Sequence, residues 1–340
     1  MSENPAVSVS RSLLALLAAV VTLAVLPGAL AAGGAEGVPS FGHVFLIIGE
    51  NTDYAHLNAT NAPYLMTSLR PHSAWFDNYY AATHWSQANY VALATGQFTG
   101  CEQHDGGIAC HQNVDNIYHR LDAAHRTWKV WLEAGPGRCD GGSGGSCASD
   151  EPCPLSGFYT TGNPPILFDD VEGPNGVWSA TNPSAECLAN DVPAGTDQDG
   201  MATFNARLAT GDVADFNTVI PTGCDDGEAS CKPDNNRYTQ FDDFLAREVP
   251  LIEASPAFGR DGVIVVLYDE DGRMGGVPPK AGLAQGGHTV CLLISPLAVS
   301  GEYAAQTYSY SVLRTLQDGF GLPGYLGSAD AVGPLPVTWR

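Results

Sequence analysis

The chain has 340 residues, 44% of them hydrophobic, and a formal net charge of −22. That is enough apolar material for one large core. So acidic a surface repels nucleic acid and anionic membranes at long range, which argues against both as partners; most of its carboxylates read as a solvated face.

Residues 1–32 read as a signal peptide. Arg11 supplies the basic start, Leu13–Val25 the apolar stretch and Ala29–Ala31 the small-residue cleavage site. The alternative, a membrane anchor, has a short apolar stretch against it. The expectation is an exported, extracellular protein whose residues 33–340 make one domain. Nine cysteines lie beyond the leader, and in an exported chain they read as disulfides. Cys101–Cys110 and Cys224–Cys231 close short loops. Cys139, Cys147, Cys153 and Cys187 leave their pairing open, and Cys291 reads as the buried, unpaired one.

Val44–Ile48 is a continuous apolar run closed by Gly49, as in a strand covered on both faces. Glu50 and Asn51 follow it. Ala62–Leu69 reads as a helix begun by Pro63, and Ala74–Tyr80 as an aromatic strand. Ser86 stands before a helix over Ala88–Ala94 with Gly96 as its C-cap. Val114–His125 has helical spacing, and Thr127–Leu132 reads as a strand ending in Glu133. A Gly/Pro/Cys-rich excursion occupies residues 135–200 approximately. Phe216–Ile220 reads as a strand and Tyr238–Val249 as a helix. Gly262–Tyr268 is a second buried strand, ending in Asp269 and Glu270. Thr289–Ser295 is a third, preceded by Gly286, Gly287 and His288. Tyr310–Asp318 reads as a closing helix capped by Gly319. Strands alternating with helices indicate an α/β layered domain.

Three features point to chemistry, each beside a plainer reading. Glu50 is either the first solvated residue after a strand or a ligand at the carboxyl end of a sheet, where such folds bind. Ser86 is either an N-cap or a nucleophile at a helix N-terminus, where N–H groups and the helix dipole favour a phosphoryl anion. Asp269 and Glu270 are either a charged turn or paired carboxylates for a hard divalent cation. A serine hydroxyl needs a base or a metal to become a nucleophile. Glu50, Asp269 and Glu270 could hold that metal, and His84 could serve as base or phosphate donor. His288, between two glycines and a strand, could reach across the sheet top. No G-x-S-x-G occurs, which argues against a nucleophile-elbow hydrolase.

With these residues in view, the chain resembles the phosphoesterase family of bacterial acid phosphatases and phospholipases C, within the alkaline-phosphatase-like superfamily. HVFLIIGEN, APYL, THWSQANYVALATG, KVWLEAGP, VVLYDEDG, GGHTVCLLISP and YSVLRTLQDGFGLP are similar to its elements, in its order. The resemblance implies an alkaline-phosphatase-like fold, a central mostly parallel sheet with helices on both faces. It implies hydrolysis of a phosphate ester, with a phosphorylated small molecule as substrate. It implies Ser86 as the phosphorylated nucleophile, and Glu50, Asp269 and Glu270 as ligands, with Ser86, of one or two divalent metal ions. Asn51, His84, Asn89 and His288 would bind phosphate or complete the shell. The chain departs from the family at Gly162-Asn163-Pro164, at CDDGEASC (Cys224–Cys231) and at Ser309, where three histidines are missing, and at Trp85 and Ala88, which stand in place of prolines. Asp225 and Asp226 could partly replace them. The leading expectation is a secreted, metal-dependent phosphoesterase of acid-phosphatase type. Its rivals are a phospholipase C and a non-catalytic secreted binding protein that kept the fold.

Overall fold

A computed structural model describes residue 1 and residues 35–101, 110–135, 139, 162–172, 183–196, 199–272 and 282–340. The proposed leader, Cys147, Cys153 and much of the 135–200 excursion lie outside the described residues.

The strands are β1 (Val44–Gly49), β2 (Ala74–Phe76), β3 (Tyr79–Tyr80), β4 (Trp128–Leu132), β5 (Asp191–Pro193), β6 (Phe216–Ile220), β7 (Val263–Tyr268), β8 (His288–Thr289), β9 (Cys291–Ile294), β10 (Gly301–Tyr303) and β11 (Thr307–Tyr308). The helices are α1 (Arg70–His72), α2 (Ser86–Thr95), α3 (Ile117–Ala123), α4 (Asp169–Glu172), α5 (Ala185–Asn190), α6 (Ala202–Thr210), α7 (Arg237–Glu253) and α8 (Ser309–Phe320). Eight strands form the central sheet in the order β10-β2-β9-β7-β1-β6-β4-β5, and β11-β3-β8 form a small one. Among the described strands of the large sheet, only β9 runs against the others, pairing antiparallel with both β2 and β7.

The apolar runs explain the layering. β1 and β7 are buried along their whole length, which suits strands covered on both faces. Val44, Leu46 and Ile48 face one apolar cluster with Val91 and Leu93 of α2 and Val312, Leu313 and Leu316 of α8. Phe45 and Ile47 face the other, with Phe204 and Leu208 of α6 and Phe241, Phe244 and Leu245 of α7. Helices therefore cover both faces, as expected.

Several boundaries differ from the sequence reading. Ala74–Tyr80 splits into β2 and β3, and Thr289–Ser295 gives way to β8 and β9. In both cases the chain leaves one sheet for the other: β3 pairs with β8, while β2 pairs with β9. The helix expected over Ala62–Leu69 is a π-type turn over Leu65–Leu69 followed by α1. Its opening N–H groups, at Tyr64 and Leu65, donate to the Asp242 carboxylate of α7 at 2.9 and 2.7 Å. That long-range cap was invisible locally. The Val114–His125 helix begins only at Ile117, because Asn116 caps it by accepting from the His119 N–H.

The expected cap at Gly319 is also corrected. α8 runs through it to Phe320, and Gly321, at φ 65°, is the left-handed cap. Gly319 is small for another reason: a Cβ there would stand 2.1 Å from the Phe41 ring. Cys101–Cys110 and Cys224–Cys231 are bonded as expected, Cys139 pairs with Cys187, and Cys291 is free and buried.

Candidate active site

Sheet register puts the acidic tips side by side. Gly49 is the register partner of Tyr268, so Glu50 and Asp269 leave adjacent parallel strands at the same level. The Asp269 N–H donates to the Gly49 carbonyl at 2.9 Å. The Asn51 N–H donates to Asp269 Oδ1 at 3.0 Å, and Asn51 sits at φ 48°, a left-handed conformation that asparagine tolerates. β6, the other neighbour of β1, leads into the loop of Thr222–Asp226. The Asp226 carbonyl accepts from the Glu50 N–H at 2.8 Å. Glu228, from the same loop, accepts from the Asn51 amide. Gly227, at φ 100°, lets this loop approach, since a Cβ there would stand 3.2 Å from the Glu50 carbonyl.

The serine turn arrives from above these tips. Trp85 is the residue before α2 and sits at φ 78°, a strained conformation for a bulky side chain. Ser86 is therefore the first helical residue, not the cap. Its hydroxyl donates to Glu270 Oε1 at 3.4 Å. His84 Nδ1 lies 2.9 Å from Glu270 Oε2, and its Nε2 lies 3.8 Å from Asp271. Asn89, one turn into the helix, braces the turn. Its Oδ1 accepts from the Thr83 N–H at 3.0 Å and its Nδ2 donates to the Thr83 carbonyl at 2.6 Å. The Gly286–Gly287 pair seats the turn against the β7 tip. The Gly286 N–H donates to the Ala81 carbonyl, and its own carbonyl accepts from the Asp271 N–H. A Cβ at Gly287 would stand 1.8 Å from Asp271 Oδ2.

The electrostatics are those of carboxylates crowded out of water. Burial, then Asp269 and Asp226, push Glu50 well above the usual range. Burial pushes Asp269 up to about 7, although N–H groups of Asn51 and Glu270 and the Ser86 hydroxyl favour its charged form. Asp226 is raised as well, chiefly by burial. Burial lowers His84 despite Asp271 and Asp53. Asp269 Oδ2 is buried without a hydrogen-bond partner. An orphaned carboxylate oxygen among like charges is costly unless a cation serves it. The donor set, all carboxylate and hydroxyl oxygen, fits a hard divalent ion. Glu50, Asp269 and Glu270 do not close as a trio. Among the described residues, the one group of three ligand atoms mutually within 4.8 Å is Cys139, Cys187 and Asp191, and its sulfurs are bonded to each other.

The site thus brings together Ser86, His84, Glu270, Asp269, Asn51 and Glu50 through this chain of contacts. Asn89 joins it as a brace, its amide spent on its own turn. His288 stands aside: its ring is stacked between Tyr54 and Tyr80, at 4.4 and 5.2 Å between centroids, and its Nε2 lies 2.9 Å from the Asp77 carbonyl. Glu228 and Tyr90 were not anticipated. Glu228 had a signal in the acid-rich stretch between two paired cysteines. Tyr90, four residues after Ser86 on one helix face, had only that spacing.

The comparisons agree with this architecture. A probable acid phosphatase from Kluyveromyces lactis is 26% identical over 292 residues, which is 86% of this chain and 61% of that protein. The chain therefore spans less than two thirds of that relative's length. A protein of the alkaline phosphatase superfamily from Vibrio parahaemolyticus superposes with a TM-score of 0.52 at 14% identity, over 85% of this chain and 69% of its own. The C-terminal periplasmic domain of EcEptC from Escherichia coli, in complex with Zn, gives 0.50 at 12% identity, over 84% of each chain. The fold is that of the alkaline phosphatase superfamily. The profile of the Phosphoesterase family matches residues 55–323, well over half of the chain, and the chain belongs to that family.

Proposed function

We propose that the protein is a secreted, metal-dependent phosphoesterase of acid-phosphatase type, which hydrolyses phosphate monoesters through Ser86. One observation carries the reading: the hydroxyl heading α2 is hydrogen-bonded to the Glu270 carboxylate at the tip of β7, beside an unserved Asp269 oxygen. Family membership and the acid phosphatase relative support it. Secretion rests on the leader reading and the disulfides; no helix among the described residues is long and apolar enough to cross a membrane.

Glu50, Asp269, Glu270 and the Ser86 oxygen would hold the cation. When bound, it would lower the hydroxyl's pKa and draw charge from the phosphoryl oxygens. The chain's own residues do the rest. The N-terminus of α2 would offer its N–H groups to the equatorial oxygens of the incoming phosphoryl group. The Ser86 proton is aimed at Glu270 Oε1, whose second oxygen faces His84. Glu270 Oε1 takes that proton as Oγ attacks, His84, 2.9 Å from Oε2, orients the carboxylate, and the leaving alkoxide takes its proton from water. Ser86 Oγ forms the new P–O bond as the bond to the alcohol breaks, and water then releases phosphate from the serine ester.

Turnover of p-nitrophenyl phosphate is the test. Chelation should abolish it, a divalent cation should restore it, and Ser86→Ala should lower kcat on the order of a thousandfold. Activity surviving Ser86→Ala would remove the mechanism. Silence with every divalent ion would favour a binding protein. Release of phosphocholine from its lipid, rather than phosphate from a monoester, would mark a phospholipase C.

A further inference from the structure

Ser86 and Tyr90 stand four residues apart on α2, and such positions share one helix face. Ser86 meets the β7 tip, while Tyr90 meets the β1 tip: its hydroxyl donates to Glu50 Oε1 at 2.5 Å. α2 therefore bridges two neighbouring strand ends, with one polar contact on each. The Tyr90 ring is itself packed in the large apolar cluster below the site, so its hydroxyl is a fixed point and not a swinging arm. Among the described residues, the Glu50 carboxylate has little else to hold it: its second oxygen receives only a long 3.4 Å contact from the Asn51 amide, and Asp269 and Asp226 repel it. On the far side, a Cβ at Gly162 would stand 3.6 Å from the Tyr90 hydroxyl.

We propose that Tyr90 is a positioning residue: by tying Oε1 of Glu50 it turns the other oxygen toward the cation site and so sets how tightly the cation is held. The proposal rests on the metal-dependent reading above. Groups that orient a ligand from behind typically change metal affinity 10–100-fold when removed.

The test is metal affinity, measured by competition with a chromophoric chelator on the full chain, for wild type, Tyr90→Phe, Glu50→Gln and the double variant. Tyr90→Phe keeps the packed ring and should fold. It should weaken binding of the activating cation about tenfold, with the metal-free Tm little changed and kcat largely regained at saturating metal. In the Glu50→Gln background the same change should cost little, because its route to the metal is gone. Wild-type affinity in a folded Tyr90→Phe would overturn the proposal, as would an equal loss in both backgrounds. A wild type that binds no divalent cation would sink the metal-dependent reading itself, and this proposal with it. If Tyr90→Phe fails to fold, the hydroxyl is a structural requirement and the positioning role is rejected.

Discussion

At the scale of single residues, burial decides more of the chemistry than partnership does. Glu172 is the clearest case away from the active site. Its carboxyl lies beside the Cys139–Cys187 bridge, with Oε1 3.3 Å from the Cys187 sulfur, and Oε2 is buried without a partner. Burial pushes it up to about 8. The sign follows directly. Between about 4.5 and 8 the unfolded chain loses this proton while the folded chain keeps it, so the folded state binds more protons and stability falls as pH rises through that window. Glu172→Gln keeps the shape and removes the titration. Its Tm at pH 8 should exceed that of wild type by about 4 °C, with little difference at pH 4.5. Thermal melts across that range check it, and an unchanged difference at the two pH values would refute it. Such a residue is illegible in sequence. DDVE looks like an ordinary acidic first turn, and nothing local says that a disulfide will lie over its glutamate.

At the scale of elements, legibility followed how local the cause was. The strands of β1 and β7 could be read because a long apolar run closed by polar residues is a local pattern. So could α2 and its cap at Gly96, because a helix former run ending in glycine is local too. What decides Gly96, however, is contact as well as φ 71°: a Cβ there would stand 2.1 Å from the Leu326 carbonyl, and one at Gly327 would stand 2.4 Å from the Gly96 carbonyl. Two backbones touch where neither tolerates a side chain. Gly96→Ala should therefore cost more than a simple left-handed cap, about 3 kcal/mol or beyond. Because α2 carries Ser86 at its other end, the damage should appear in kcat as well as in denaturant midpoint. A variant with wild-type stability would show that the loop of Leu326–Gly327 moves aside freely. Gly319 is the opposite lesson. The residue type suggested a cap, while its real reason is the Phe41 ring, more than 250 positions away in the sequence.

At the scale of the whole molecule, the site is an accident of no single motif. Register alone places Glu50 beside Asp269, and the crossover from β6 places Asp226 behind Glu50. Each acid read singly was as good a turn residue as a ligand, and only their order along the chain, matched to a family's, joined them. The residues that sequence reading missed, Tyr90 and Glu228, enter through contacts between elements. The resulting pocket gathers negative charge in a chain already at −22, and like charges held together out of water strain the fold. A cation that binds only the folded state should relieve this and stabilise by mass action. At a hundredfold excess over Kd the gain is about 2.7 kcal/mol, which for a chain of this size raises Tm by roughly 4 °C. Melting the chelated protein against rising divalent cation measures it. The acidic surface would bind cations weakly at many places, so the decisive comparison is Asp269→Asn, which removes the orphaned oxygen's charge. That variant should melt higher than wild type without metal, because one buried repulsion is gone, and should gain far less from the cation. Equal stabilisation of both proteins would place the effect on the general surface and leave the strand tips without a metal.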